Sequence, residues 1–282
     1  MPCQHCDDTG WKPVEDDGVR RVVRCECWRE ALTGRLFGDA RIPPRYHRCD
    51  LDGFIVYPNE KLQKAVARAR AFAEAFPVVE QGLFFVGPPG IGKTHLAVAV
   101  LKAVIQRCGA RGLFYDTREL LRVIRSTYNP VVRTTESDVL RPVIEAELLV
   151  LDDLGAEKTS EWVDETLNLI VNTRYNERRP TMFTSNYDEY PDNDLEPSLL
   201  ERVGFRMVSR LHEMCEFLEF EGADYRFWEG QGPATPADLL NLYKNQKRPS
   251  RSGRRRASGQ LKAQLREGSS DVRWPGGKAG SS

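Results

Sequence analysis

Eight consecutive residues have the composition of a phosphate-binding loop. The run GPPGIGKT follows a short apolar segment, precedes a helical pattern and matches the spacing G-x-x-x-x-G-K-[ST]. Glycines let backbone N–H groups turn towards phosphate oxygens, the lysine supplies a positive charge, and the threonine offers a hydroxyl to Mg²⁺. The candidate nucleotide-binding residues are Gly87, Pro88, Pro89, Gly90, Ile91, Gly92, Lys93 and Thr94.

Polar residues follow two further apolar runs. LLVLDD ends in Asp152 and Asp153, and MFTSN ends in Asn186. Ligands of open α/β sheets bind at the carboxyl ends of the strands, so these side chains are expected to meet the phosphate loop. We expect Asp152 to hold Mg²⁺ through water, Asp153 to orient and polarise an attacking water, and Asn186 to lie beside Asp153. An Asn in an ordinary turn before Tyr187 is the simpler alternative for Asn186.

Three arginines recur at a spacing of four residues. Arg202, Arg206 and Arg210 are expected on one face of a single helix over residues 199–214. Such a stripe is usually a solvated face. Because it follows the strand that carries Asn186, it also suits an arginine that reaches the ATP of a neighbouring subunit and stabilises charge on the transferring phosphoryl group.

Four cysteines lie close to the N-terminus as two short-spaced pairs. Cys3 and Cys6 are separated by two residues, and Cys25 and Cys27 by one. Four thiolates satisfy tetrahedral Zn²⁺, and a site closed in this way is structural because no position remains open for catalysis. Four unliganded thiols are the alternative.

The elements that must position these residues alternate between strand and helix. We predict strands at 83–86, 113–115, 147–151, 181–184 and 216–220, with helices at 95–106, 118–126, 161–177 and 199–214. Strands separated by helices indicate an α/β fold with a parallel sheet and helices on both faces.

Composition sets the domain boundaries. The 282 residues suit one large domain with small appendages, and 40% hydrophobic residues allow a substantial core. We divide the chain into a zinc-binding module at 1–30, a connector at 31–58, the main domain at 59–228 and a disordered basic tail at 229–282. Residues 244–282 carry eleven Lys/Arg against two Asp/Glu, which suggests a polyanionic partner, and a solvated, dispensable extension explains the tail equally well.

No apolar run approaches the length of a membrane span, and the N-terminus lacks the apolar core of a signal peptide. We therefore expect a cytoplasmic protein with no membrane partner. Disulfides are rare in that reducing compartment, which favours metal ligands or buried thiols for the seven cysteines.

The motifs together resemble one family. GPPGIGKTHLA, LLVLDDLGAEKTSEW, FTSNY and ERVGFRMVSRLHEMCEFLEFEGADYR are similar to segments of the DnaC/DnaI/IstB group of AAA+ ATPases, and IPPRYHRCDLDGF resembles the stretch before their ATPase core. The resemblance implies an AAA+ P-loop NTPase fold and an ATP-dependent switch with Mg²⁺. It also implies self-association through the ATP sites and delivery of a hexameric replicative helicase to single-stranded DNA during replication initiation.

The resemblance also assigns residues. It places Arg206 and Arg210 at the subunit boundary without separating them as the finger, and it makes Arg226 a candidate for nucleotide sensing. AAA+ proteins at large usually carry Glu at the position of Asp153. The shorter Asp predicts slow hydrolysis, suited to a switch, and turnover of many ATP per second would contradict this expectation.

DNA contact has two candidate locations in the sequence. Arg118, Arg122 and Arg125 with Tyr128 combine cations and an aromatic ring after the second predicted strand of the sheet, and a solvated helix face explains them equally well. Arg254–Arg256 in the tail would give salt-sensitive, non-specific attraction.

Three functions fit these features: a helicase loader, an IstB-like transposition helper ATPase and a P-loop small-molecule kinase. The paired cysteines favour the loader, because an N-terminal zinc module resembles the layout of the firmicute loaders. No substrate pocket or lid for a kinase is visible in the sequence.

Overall fold

The computed structural model describes residues 3–16, 18–191, 196–228 and 234–247. The strands are β1 Trp11–Asp16, β2 Val19–Arg24, β3 Gly82–Val86, β4 Gly112–Asp116, β5 Leu148–Asp152, β6 Thr181–Ser185 and β7 Cys215–Glu219. The helices are α1 Glu26–Asp39, α2 Glu60–Ala75, α3 Lys93–Cys108, α4 Thr117–Ser126, α5 Glu136–Glu145, α6 Glu161–Asn176, α7 Leu199–Val203, α8 Phe205–Met214 and α9 Pro236–Lys247.

Five strands form one parallel sheet in the order β4-β5-β6-β3-β7. The central strands β3, β5 and β6 are buried along their whole length, as expected for a sheet covered on both faces. All five carboxyl ends lie at one edge, and β3, β5 and β6 lead there into the phosphate loop, the acidic pair and Asn186. The predicted α/β fold with a parallel sheet is confirmed.

Alternation along the strands divides the core into two layers. On β3, Phe85 packs with α2 and α3, while its neighbour Phe84 packs on the opposite face with α4, α5, α6 and α8. Each layer buries a continuous set of apolar side chains. Within the described ranges, no helix combines the length and apolar content needed to cross a bilayer.

Three sequence boundaries differ from the structure. Helix α1 crosses the predicted border at residue 30. The predicted connector contributes Ala40, Ile42, Cys49 and Tyr57 to the buried core beside α2 and α3, so it is part of the main domain. The predicted tail is wrong at its start: α9 follows residue 229, and Leu239 is buried in the same core because the helix presents apolar residues at helical spacing. Residues 248–282 of that tail lie outside the described residues.

The predicted helix over 199–214 is two helices. Gly204 has φ of 80° and ψ of 155°, a conformation outside the helical region, and it separates α7 from α8. Arg202 therefore belongs to α7, whereas Arg206 and Arg210 belong to α8. The expected single arginine stripe is wrong.

At the edge that holds the amino ends of the strands, the fully buried Arg174 connects α6 to the segments that lead into β5 and β6. Its guanidinium donates to the carbonyls of Val143, Ile144, Ala146 and Pro180 and to the Thr181 hydroxyl, at 2.7–3.0 Å. Burial lowers the pKa of Arg174 to about 9. These five bonds satisfy acceptors that water cannot reach.

Arg174→Ala is expected to lower the free energy of unfolding by roughly 3–5 kcal/mol, because buried carbonyls are left without a donor. Chemical denaturation followed by circular dichroism measures the loss. The matched control Arg179→Ala removes a partly exposed arginine that donates to the Glu145 carbonyl, and it should cost less than about 1 kcal/mol. Equal losses in the two variants would contradict the structural role of Arg174.

Candidate functional site

The loop between β3 and α3 turns against the segment after β7. Gly90 has φ of 82°, and a Cβ there would lie 1.8 Å from a carboxylate oxygen of Asp224. A Cβ on Gly87 would lie 2.3 Å from the carbonyl oxygen of Phe220. Both positions therefore require glycine. The loop ends at the N-terminus of α3, where backbone N–H groups and the helix dipole favour an anion.

Lys93 lies at the centre of this edge. Its ammonium donates to the carbonyls of Gly87 and Pro88, at 2.6 and 2.7 Å, and to Oδ1 of Asn186 at 2.7 Å. Burial lowers the pKa of Lys93 to about 8, although the charges of Asp152 and Asp153 oppose the shift. The ammonium is thus poised beside the loop that is expected to hold phosphate.

Asp152 ends β5 within reach of two hydroxyl groups. Its Oδ1 accepts from Thr94 Oγ1 at 2.8 Å and from Thr184 Oγ1 at 2.6 Å. Burial raises the pKa of Asp152 to about 6, and the two hydroxyl donors act against that shift. A carboxylate and a hydroxyl converging at a helix N-terminus are oxygen donors of the kind that Mg²⁺ takes with nucleotide phosphates. The donor set therefore fits the metal.

Asp153 has a backbone in the left-handed region, and each of its carboxylate oxygens accepts one side-chain hydrogen bond. Its φ is 60°, and its N–H donates to Thr184 Oγ1 at 2.9 Å. Asn186 Nδ2 donates to Oδ1 at 2.6 Å, and Arg118 donates to Oδ2 at 3.0 Å. The carboxylate of Asp153 is thus held at the edge of the sheet beside Asn186, which in turn contacts Lys93.

The remaining predicted nucleotide-site residues lie in two places. Arg226 is exposed and follows Asp224, which faces Gly90, and its positive charge contributes to the lowered pKa of Lys93. Arg206 and Arg210 line a groove with the acidic side of α6, which includes Glu161 and Asp164. They are therefore on the surface formed by α6 and α8.

Sequence reasoning missed two contributors to the site. Thr184, inside MFTSN, contacts both Asp152 and Asp153. Arg118 was a candidate for DNA contact, but in the structure its guanidinium donates a hydrogen bond to the carboxylate of Asp153. The position of Arg118 directly after β4 could have indicated this, because β4 is the neighbour of β5 in the sheet.

The four N-terminal cysteines form a cluster. Their Sγ atoms all lie within 4.8 Å of one another, with Cys3–Cys25 at 3.7 Å and Cys6–Cys27 at 3.3 Å. Four thiolates around one tetrahedral zinc at the usual Zn–S distance stand about 3.8 Å apart. The cluster therefore has the size of a closed Cys₄ zinc site, and among the described residues it is the one group of three or more Cys, His, Asp or Glu side chains close enough to share a metal ion.

The fold is that of an α/β P-loop nucleotide-binding protein of the AAA+ class. A family model described as "IstB-like ATP binding protein" matches residues 58–230. The chain belongs to this family, which implies binding of nucleotide and Mg²⁺.

Individual relatives agree with that assignment. Over 194 residues the chain is 28% identical to the replicative helicase loader DnaC of Escherichia coli K12, covering 68% of this chain and 77% of the relative. A crystal structure of the DnaC helicase loader superposes with a TM-score of 0.56 at 36% identity, covering 64% of this chain and 100% of that one. The DnaI crystal structure, at 24% identity and TM-score 0.54, supports the fold.

Proposed function

We propose that this chain binds and hydrolyses ATP with Mg²⁺ at the edge formed by the loop 87–94, Asp152, Asp153 and Asn186. The observation that carries the proposal is the convergence of two pairs of residues that are distant in sequence, Lys93 with Thr94 and Asp152 with Asp153. Thr94 contacts Asp152 directly. Asn186 connects Lys93 to Asp153, and all three contacts are 3.0 Å or less. The convergence supports the proposal because phosphoryl transfer needs a cation, metal ligands and a group that orients water close together.

Each residue has a distinct role in this proposal. Lys93 neutralises charge on the β- and γ-phosphates, and Thr94 with Asp152 holds Mg²⁺, which supplies charge stabilisation for the transferring phosphoryl group. Asp153 orients and polarises the attacking water, and Asn186 positions Asp153 and senses the γ-phosphate. Arg226, whose positive charge acts on Lys93, is a further candidate for contact with phosphate.

We further propose that the ATP-bound chain loads a hexameric replicative helicase onto single-stranded DNA. Two of the relatives named above are described as helicase loaders, and the crystallised DnaC chain is matched over its whole extent. The alternative is an IstB-like transposition helper. The name of the matching family supports it, but none of the relatives compared above is a transposition protein.

Retention of the helicase tests this proposal. Tagged protein with ATP is expected to retain the replicative helicase of its own organism and to lose it in the Lys93→Ala variant. Purified transposase of an adjacent insertion element serves as the competing bait. Retention of transposase with no retention of helicase would contradict the loader and favour the helper, and it would leave the ATP site unaffected.

Self-association through the ATP site requires a residue contributed in trans. Arg206 and Arg210 fit because neither forms an ion pair with a carboxylate in the described part of the chain, and both line the groove between α6 and α8. Arg210→Ala is expected to keep nucleotide affinity and to lose at least about 10³-fold of assembly-dependent turnover. An unchanged rate at high protein concentration contradicts the assignment, and the same assay on Arg206→Ala distinguishes the two arginines.

For single-stranded DNA, the structure offers an aromatic and cationic surface at the end of α4. Tyr128 is exposed, its hydroxyl accepts from the indole N–H of Trp162 at 3.0 Å, and the Arg125 guanidinium lies 4.4 Å from the Trp162 ring centroid. Aromatic rings beside arginine provide stacking and charge for a single strand. Of the other sequence candidates, Arg118 pairs with Asp153 and Arg122 with Glu119.

The cysteine cluster is proposed to hold one structural Zn²⁺ per chain. The double variant Cys6→Ser, Cys27→Ser is expected to lose that zinc, as measured by plasma mass spectrometry, because two thiolate ligands are removed. The control Cys108→Ser, an exposed cysteine outside the cluster, should retain one equivalent. Equal zinc content in the double variant and the control would contradict the site.

A further inference from the structure

Arg202 connects the two segments that carry Asp153 and Asn186. Its Nε donates to the carbonyl of Gly155 and a terminal guanidinium nitrogen donates to the carbonyl of Glu157, both at 2.6 Å. The guanidinium also lies 4.9 Å from the ring centroid of Tyr187, the residue after Asn186. One side chain thus contacts the loop after β5 and the loop after β6.

The loop after β5 has little freedom to move. Gly155 has φ of 87°, and a Cβ there would lie 3.2 Å from both Arg202 Cβ and the ring of Tyr187. On its other side the loop is bound to β6, because Leu154 N–H donates to the Thr184 carbonyl at 2.8 Å and Ser185 Oγ donates to the Leu154 carbonyl at 2.9 Å. Strand β6 and Arg202 therefore clamp the loop from two directions.

Arg202 also stabilises a buried carboxylate in the loop after β5, that of Glu157. Glu157 is buried, and its Oε2 has no hydrogen-bond partner in the described structure. The positive charge of Arg202 stabilises this carboxylate while burial raises its pKa. A capping box between Ser198 and Glu201 fixes the short helix α7 that carries Arg202.

We infer that Arg202 is a positioning residue for ATP hydrolysis: it sets the orientation of Asp153 and Asn186 through their adjoining loops. Arg202 acts on the ATP site of its own chain, because it contacts that chain's loops after β5 and β6, whereas Arg206 and Arg210 on α8 are the residues proposed to act in trans. The inference rests on the proposed ATPase function. A displacement of about 1 Å at a catalytic group costs on the order of 10²-fold in rate, so an indirect contact of this kind is measurable.

Steady-state hydrolysis and nucleotide titration on full-length Arg202→Ala test the inference. We expect kcat to fall about 10–100-fold while KM and the ATP dissociation constant stay within about threefold, because the phosphate contacts remain in place. Arg202→Lys keeps the charge and one carbonyl bond, and it should recover part of the lost rate. The control Arg179→Ala also removes an arginine–carbonyl bond, but at the opposite edge of the sheet, and should keep its kcat.

The possible results distinguish a failure of the Arg202 inference from a failure of the proposed ATPase function. A wild-type chain that hydrolyses no ATP overturns both. If the wild type hydrolyses ATP and the kcat of Arg202→Ala is within twofold of the wild-type value, the inference alone is overturned. A parallel loss of kcat, ATP affinity and melting temperature in Arg202→Ala also overturns the inference alone, because that pattern indicates a purely structural contact.

Discussion

Lys93→Ala is expected to abolish measurable ATP turnover, with kcat reduced at least about 10²–10³-fold and ATP affinity weakened. The physical reason is that the phosphates would lose the positive charge of a buried ammonium that lies against the carbonyls of the loop. Removal of a preorganised donor to developing negative charge costs about 3–4 kcal/mol in comparable sites. A coupled assay for phosphate release and a titration with a fluorescent ATP analogue measure the two effects.

Lys102→Ala is the matched control for that variant. Lys102 lies on the same helix, α3, and its ammonium also donates to two backbone carbonyls, those of His47 and Cys49, at 2.6 Å. Its loss is expected to lower stability while leaving turnover within about twofold, because Lys102 lies nine residues beyond Lys93, roughly 14 Å further along the helix axis. Normal activity in Lys93→Ala, or an equal loss in Lys102→Ala, would contradict a phosphate role for Lys93.

Asp153→Asn should separate catalysis from binding. The amide keeps the size of the side chain but removes the charge that polarises water, so kcat is expected to fall about 10²–10⁴-fold with little change in ATP affinity. Single-turnover hydrolysis measures the chemical step, and equilibrium titration with Mg²⁺ and ATP measures binding.

The neighbouring variant Asp152→Asn provides the comparison. Asp152 faces Thr94, so its replacement is expected to weaken Mg²⁺-dependent binding as well as turnover. The division of roles is contradicted if Asp153→Asn loses binding and Asp152→Asn retains it. Full turnover in Asp153→Asn would exclude that residue as the group acting on water.

Much of the candidate site could be predicted because its residues share one sequence context. The loop 87–94 and Asn186 follow apolar strands, Asp152 ends one, and parallel strands present their carboxyl ends at one edge. The same reasoning predicts the sheet without any knowledge of strand order. The contacts between Asn186, Asp153 and Lys93 then follow from the neighbouring positions of β5, β6 and β3.

The errors arose where long-range contacts or a single φ angle decided the outcome. A spacing of four residues suggested one arginine helix, but Gly204 adopts a conformation that ends α7. Helix α9 was missed because its flanking Pro and Gly residues resemble the start of a disordered tail. Its Tyr243 hydroxyl bonds to Glu221, a contact that no local pattern shows. The pair between Arg118 and Asp153 likewise depends on the adjacency of β4 and β5.

A crystal structure with a non-hydrolysable ATP analogue and Mn²⁺ in place of Mg²⁺ tests the central claim most directly. The anomalous signal of manganese is expected beside Thr94 Oγ1 and the carboxylate of Asp152, with the γ-phosphate between Lys93 and Asn186. A metal peak and phosphates located away from the loop 87–94 would contradict the assignment of this edge as the nucleotide site.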